Sequence, residues 1–255
     1  PTSSSSKILS IATLIAILAT LAVNVLSNLF PARGLNIGAI ANTILSGVQI
    51  TPANYAFAIW GLIYLGLIAY GIYQLHPTQH NNVDFAKADR FLIIACIAQI
   101  AWVYFFTSRQ IWLSIMAMLV ILCSLIKSYL ELNIGTQRVS PARKWFVDIP
   151  FSIYLAWISV ATIVNIASAL YISNWNGWGI SAQAWTAIML VIGGIIAAIV
   201  ISQRKDNAFA LVYVWAYLAL AVRQGQNFLI WITALVIVCL LIALLVFKNK
   251  ELKVN

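Results

Sequence analysis

The sequence predicts an all-α polytopic membrane protein with eight transmembrane helices. Of its 255 residues, 63% are apolar and only 8% are charged, and the mean hydropathy is +0.95. Soluble domains carry about 25% charged residues, so this chain cannot cover a water-facing surface, and a soluble globular enzyme is excluded. The apolar content also excludes disorder. Continuous apolar runs without dyad alternation favour helices over barrel strands.

Eight apolar segments are each close to the length of about 20 residues that a membrane crossing requires. The first is too long for the core of a cleaved signal peptide and shows no A-x-A site, so we interpret it as a retained helix. The third and seventh are the shortest. In chain order the predicted segments cover residues 7–29, 53–74, 90–106, 111–132, 146–171, 182–202, 208–222 and 228–247.

The connections between the segments differ in character. Residues 30–52 form the longest one and contain several prolines and glycines, which is typical of a functional loop such as a lid. Residues 107–110 and 223–227 are tight turns, so their flanking helices are predicted to be antiparallel neighbours. Residues 172–181 carry Trp175 and Trp178 without any charge, as in an interfacial aromatic belt.

The basic residues indicate the orientation of the chain. With eight crossings, 12 of the 15 Lys and Arg residues lie on the side of both termini, the last of them being Lys253. Basic residues accumulate in cytoplasmic loops, so both termini are predicted to be cytoplasmic, in a bacterial inner membrane or a thylakoid-type membrane. The basic residues form no run, and no nucleic-acid partner is predicted.

Few ionisable residues fall within the segments, which argues against ion-coupled transport. Lys127 and Glu131 are four residues apart and are predicted to pair on one helix face. Asp148 is expected at the start of the fifth helix, where a carboxylate suits the helix dipole. His76 and His80 flank a proline and have no third ligand nearby, so no metal site is predicted.

No sequence pattern supplies a positioned catalytic acid, base or metal. There is no Walker A motif, no G-x-G-x-x-G and no G-x-S-x-G. The three cysteines lie singly in apolar runs and are interpreted as small packing residues. Catalytic residues are therefore not predicted. An enzyme that acts on its bound pigment, with tryptophan as the redox partner, is a further alternative.

Polar and aromatic residues recur along three of the segments at helical spacing. In the fifth segment Trp157, Ala161 and Asn165 repeat every four residues and so lie on one face. The second and third segments present similar faces, formed by Phe57, Trp60, Tyr64, Gln99, Trp102 and Phe106. Three such faces can enclose an apolar slot with a few polar anchors, which suits a planar hydrophobic ligand. Ordinary bundle packing is the alternative interpretation.

These segments resemble the TspO/MBR family of tryptophan-rich sensory proteins, which are related to the mitochondrial translocator protein. Residues 155–165 read LAWISVATIVN and match the family's L-A-W-x-x-x-A-T-x-x-N at every specified position. Residues 59–64, IWGLIY, and residues 99–106, QIAWVYFF, are similar to the family's second- and third-helix motifs. The resemblance covers about residues 7–171.

The resemblance implies a five-helix bundle over residues 1–171, with a pocket capped by the loop after the first helix. In the family this pocket binds tetrapyrroles, sterols and synthetic ligands. No cofactor is required, but a bound porphyrin or haem-type ligand is expected. The residues that would line the pocket by this resemblance are Trp60, Tyr64, Gln99, Trp102, Trp157, Ala161 and Asn165; Phe57 joins them by its position on the same helix face.

Residues 172–255 are then three additional transmembrane helices and a short cytoplasmic tail, which are expected to cover the face that five-helix members use to dimerise. The favoured hypothesis is a membrane receptor or regulator for a planar hydrophobic ligand. The alternatives are a transporter or channel for a small lipophilic solute, and an accessory subunit of a larger membrane complex. The expected partners are membrane lipid, a hydrophobic small molecule, and a second copy or another membrane protein.

Overall fold

The computed structural model describes residues 3–254 and the side chains of residues 6–250. Within this part of the chain there are helices and no strands, which confirms the all-α class. The eight long helices are α1 (Ser3–Leu29), α2 (Ile59–Tyr73), α3 (Val83–Thr107), α4 (Ile111–Glu131), α5 (Ile149–Ile172), α6 (Ala182–Arg204), α7 (Asn207–Arg223) and α8 (Phe228–Val254). They correspond in order to the eight predicted segments.

Seven of the helical segments in the described chain are long and apolar enough to cross a membrane, which confirms an integral multi-pass protein. Two of them include the turns that precede the helix, namely Asn54–Ala58 before α2 and residues 141–148 before α5. The remaining one, α7, has 17 residues. At 1.5 Å per residue it is about 25 Å long, near the lower limit for a crossing.

Several helices extend beyond the apolar runs. The α3 helix begins at Val83 rather than at residue 90, because the Asn82 side chain accepts hydrogen bonds from the backbone N–H groups of Asp84 and Phe85 and caps the helix. The α8 helix continues to Val254 instead of ending at residue 247. Lys253, used in the charge count, lies outside the residues whose side chains are described.

The helices pack as a bundle in which α7 joins the last three helices to the first five. The α3 and α4 helices, and likewise α7 and α8, pack against each other as their tight turns predict. The α5 helix contacts α2 and α4 on one side and α7 on the other, while α6 and α8 pack on α7 and on each other. The chain between α1 and α2 contains a short helix, Ile37–Asn42, called the loop helix below.

Two predicted electrostatic contacts are wrong. Glu131 pairs with Lys87, whose Nζ lies 3.4 Å from its carboxylate, because the antiparallel packing of α3 and α4 brings the start of one beside the end of the other. Lys127 is not its partner. Asp148 does not face a free helix N-terminus, since residues 141–172 form one continuous helical run. Its carboxylate lies 3.6 Å from Nε of Arg143.

Candidate functional site

A cavity of about 430 Å³ lies among α1, α2, α3 and α5, beneath the loop helix. Its walls come mainly from the last turns of α1 and α3, the start of α2 and residues 157–168 of α5. These four regions meet at the same end of the bundle because consecutive helices run antiparallel. Three tryptophans, Trp60, Trp102 and Trp157, reach it from three different helices.

The structure places six of the eight predicted site residues along this cavity. They are Phe57, Trp60, Trp102, Trp157, Ala161 and Asn165. The 3.6-residue period places these residues on one face of each helix, and the packing of the helices brings the three faces to one cavity. The other two, Tyr64 and Gln99, are buried next to it and do not line it.

The indole of Trp102 is held by a hydrogen-bonded chain. Its Nε1 donates to Oδ1 of Asn165 over 2.6 Å, and Nδ2 of Asn165 donates to the Ser114 hydroxyl over 3.0 Å. The Ser114 hydroxyl in turn donates to the backbone carbonyl of Ile111. All three side chains are at most 8% exposed. The chain connects α3, α5 and α4, and it orients the Trp102 ring, which stacks on Phe106 at 5.1 Å between centroids.

The other two tryptophans are positioned by ring contacts. Trp157 is 2% exposed and meets Phe57 edge to face at 5.6 Å. Trp60 stacks on Tyr64 at 5.7 Å and meets Tyr154 edge to face at 6.1 Å. Such offset and edge-to-face geometries are the favourable ones for aromatic pairs. This part of the cavity wall is therefore aromatic and well packed.

The two predicted residues that do not line the cavity hold Trp60 from behind. Nε2 of Gln99 donates to the Tyr64 hydroxyl over 2.9 Å, and the Tyr154 hydroxyl donates to Oε1 of Gln99. Both Tyr64 and Tyr154 contact the Trp60 ring. The carboxamide of Gln99 thus has a partner on each side, and it supports the cavity wall rather than offering a group to a ligand.

The cavity also has a polar rim that the sequence analysis did not identify. Five asparagines line it besides Asn165, and none of its lining residues is charged. They come from the end of α1, from the loop helix and its surroundings, and from the start of the turn before α2; they are Asn24, Asn28, Asn36, Asn42 and Asn54. A carboxamide carries two N–H donors and one oxygen acceptor. Nδ2 of Asn28 and of Asn42 each donates to a backbone carbonyl, and Oδ1 of Asn36 caps the loop helix.

The loop helix lines one side of the cavity, and the chain on both sides of it is held by hydrogen bonds. Asn36 caps it, since its Oδ1 accepts from the Ala39 N–H over 2.8 Å. Before it, the Arg33 guanidinium donates to the Ser108 carbonyl over 3.0 Å.

After it, the segment 49–56 is bound to α7 and to the turn that follows. The Gln224 carboxamide donates to the Gln49 carbonyl over 2.8 Å, and the Trp215 indole donates to the Ala56 carbonyl over 3.0 Å. The Ala53 N–H donates to the Ala219 carbonyl over 3.1 Å. The α7 helix and the turn after it thus help to hold the rim of the cavity, a role that no sequence motif indicated.

Two buried carboxylates outside the cavity were also missed, because they fall between the predicted segments. Asp89 is 1% exposed and accepts from the Tyr70 hydroxyl over 2.7 Å. Asp206 is equally buried, and its Oδ2 accepts from Tyr129 and Ser152 over 2.7 and 2.6 Å. Among the described residues no three His, Cys, Asp or Glu side chains cluster as metal ligands.

Comparison with protein families matches residues 10–247 to the family described as TSPO-like protein. The matched region includes all the helices that line the cavity and continues through α6 and α7 into α8. Comparisons with curated proteins and with solved structures found no match.

Proposed function

The chain belongs to the family of TSPO-like proteins, and from this premise we propose that it is a membrane receptor or regulator that binds a planar hydrophobic ligand of the tetrapyrrole class. The site is the cavity between α2, α3 and α5 beneath the loop helix. The observation that carries the proposal is the convergence of three tryptophans from three helices on one space of about 430 Å³. Ligand pockets in proteins commonly have volumes of about 300–1,000 Å³.

The lining residues fit the two parts of such a ligand. Flat indole walls complement an apolar ring system, because stacked and edge-to-face contacts add to the gain from burial. The asparagine rim supplies side-chain N–H groups to the carboxylates that tetrapyrroles carry at their edge. The ring therefore lies against Trp60 and Trp157, with the polar edge towards Asn24, Asn28 and Asn54.

We further propose that the termini are cytoplasmic, as the distribution of basic residues indicates. The cavity then lies in the half of the bilayer away from the cytoplasm, since the odd-numbered helices α1, α3 and α5 contribute their C-terminal ends to it. A protease-sensitive tag on either terminus should be cleaved only in inverted vesicles.

The binding proposal is tested by titrating protoporphyrin IX into the protein in lipid nanodiscs and following the emission of the porphyrin. We expect saturable binding that the double variant Trp60→Phe, Trp157→Phe weakens about tenfold, because each aromatic contact contributes about 0.5–1.5 kcal/mol. The matched control is Trp145→Phe with Trp178→Phe, two residues that are 67% and 78% exposed. Equal affinity of the two double variants would show that the cavity is not the binding site.

A further inference from the structure

A second cavity of about 340 Å³ lies between α5 and α6, at the same end of the bundle as the first, and it is open on one side. Three of its lining residues are between 39% and 46% exposed, namely Ile166, Tyr171 and Ile180. Ile166 lies six residues before the end of α5, which is about 9 Å along the helix axis. None of the described residues that line this cavity is charged. Its opening therefore faces the hydrocarbon of the bilayer.

A narrow void of about 20 Å³ separates the second cavity from the first. Three of the residues around the void also line the first cavity, and three others also line the second. The first three are Pro52, Val160 and Val164, and the other three are Ile50, Ile163 and Met189. The three spaces are therefore adjacent, and they form a row from the tryptophans of the first cavity to the lipid-facing side of the bundle.

The order of residues around α5 agrees with this row. Consecutive residues of a helix are about 100° apart around its axis. Positions 161, 165 and 168 face the first cavity, and positions 167 and 170 face the second. Positions 160 and 164, which border both the first cavity and the void, lie between these two sets. The row thus follows one continuous strip of the α5 surface.

The void is covered by residues 50–52, called the gate below, which are not helical. Hydrogen bonds hold the chain on both sides of the gate. The Gln224 carboxamide donates to the Gln49 carbonyl over 2.8 Å, and the Ala53 N–H donates to the Ala219 carbonyl over 3.1 Å. A space of this size holds about one water molecule, so no ring system passes while the gate is in place. Movement of the gate away from α5 joins the two cavities.

From this arrangement we propose that the row is a lateral route by which a hydrophobic ligand enters the first cavity from the bilayer and leaves it again. A planar apolar molecule concentrates in the membrane, and this route spares it a passage through water. The identity of the ligand rests on the proposed function, whereas the route is a property of the fold. Because Ala167 and Gln224 lie outside the walls of the first cavity, changes there alter the rates of entry and exit and leave the affinity unchanged.

The first test uses protoporphyrin IX and the protein in nanodiscs. Titration gives the affinity, and stopped flow gives the dissociation rate while excess protein-free liposomes take up the released porphyrin. Ala167→Trp fills the second cavity and should slow dissociation about tenfold, which corresponds to about 1.4 kcal/mol in the barrier. Gln224→Leu removes one hydrogen bond beside the gate and should accelerate dissociation about fivefold. The matched controls are Ala198→Trp, in the groove between α6 and α8, and Gln226→Leu, and both should leave the rate unchanged.

A cysteine on the route gives a readout that needs no porphyrin. The parent variant carries Val160→Cys, and its three native cysteines are replaced by alanine; these are Cys96, Cys123 and Cys239. Its reaction with N-(1-pyrenyl)maleimide, a reagent that dissolves in the bilayer, is followed in nanodiscs. Ala167→Trp should slow the labelling about tenfold, and Gln224→Leu should accelerate it about fivefold. Far-ultraviolet circular dichroism and elution as a single species establish that each variant is folded.

The two measurements separate the route from the proposed function. If the wild type binds no protoporphyrin while the labelling rates change as expected, the proposed function fails and the route stands. Labelling of both folded variants at the rate of the parent would overturn the route. Dissociation at the wild-type rate from folded Ala167→Trp would overturn it as well, because the porphyrin would then leave on another side of the first cavity.

Discussion

Replacing Asn165 by leucine keeps the approximate size of the side chain and removes both of its hydrogen bonds. The Trp102 indole N–H loses its acceptor, and the Ser114 hydroxyl loses a donor but keeps its own bond to the Ile111 carbonyl. A buried unsatisfied group costs about 1–3 kcal/mol in a soluble protein. In a membrane, side-chain hydrogen bonds between helices average about 0.6 kcal/mol, because the unfolded chain in the bilayer also finds partners.

The lower figure applies here, since Asn165 and Trp102 lie within membrane helices. Two lost bonds then predict that Asn165→Leu lowers the free energy of unfolding by about 1–2 kcal/mol. A double-mutant cycle with Trp102→Phe should give a coupling energy of about 0.6–1.7 kcal/mol for the indole–carboxamide bond. The protoporphyrin affinity should also fall in Asn165→Leu, because the Trp102 ring is no longer held against Phe106.

The assay is unfolding in mixed micelles of dodecyl maltoside and sodium dodecyl sulfate, followed by circular dichroism. The control cycle pairs Asn165→Leu with Trp60→Phe, since Trp60 forms its contacts with Tyr64 and Tyr154. These two changes should be additive within about 0.5 kcal/mol. If the Trp102 cycle is additive to the same extent, the bond does not stabilise the bundle and the reasoning is refuted.

Three further predictions concern the packing and the lid. Gly193→Ala should destabilise the protein by about 1–3 kcal/mol in the same unfolding assay, because the new Cβ collides with the Tyr217 hydroxyl. In the matched control Gly61→Ala the new Cβ meets nothing within 4 Å. This control should be neutral or stabilising by up to about 1 kcal/mol. Asp206→Ala should lower the free energy of unfolding by about 2–4 kcal/mol, since it removes the acceptor of two buried hydroxyls and the cap of α7. Asp206→Asn should lower it less. Equal losses in the two variants would contradict a stabilising role of these hydrogen bonds. Asn36→Ala removes the cap of the loop helix, which contributes about 1 kcal/mol. Porphyrin dissociation, measured by stopped flow, should therefore accelerate about fivefold. An unchanged rate would mean that the loop helix does not control access to the cavity.

The aromatic face of each helix was accessible from the sequence because a helix repeats every 3.6 residues. Residues at that spacing, such as Trp157, Ala161 and Asn165, must share a face whatever the helix packs against. The role of Gln99 was not accessible in this way. It lies on the same face as Trp102 by spacing, but its carboxamide is taken up by Tyr64 and Tyr154. Which polar group stays free for a ligand depends on partners from other helices.

The amino-acid sequence alone determined that this protein lies in a membrane, the number and order of its long helices, and which helix faces are aromatic. These properties follow from local hydropathy and periodicity, which act along the chain. Only the tertiary structure decided how Asn24, Asn28 and Asn54 form one rim and that α7 holds the segment 49–56. These features join residues far apart in the chain, and their positions depend on the packing of helices, which no local pattern encodes.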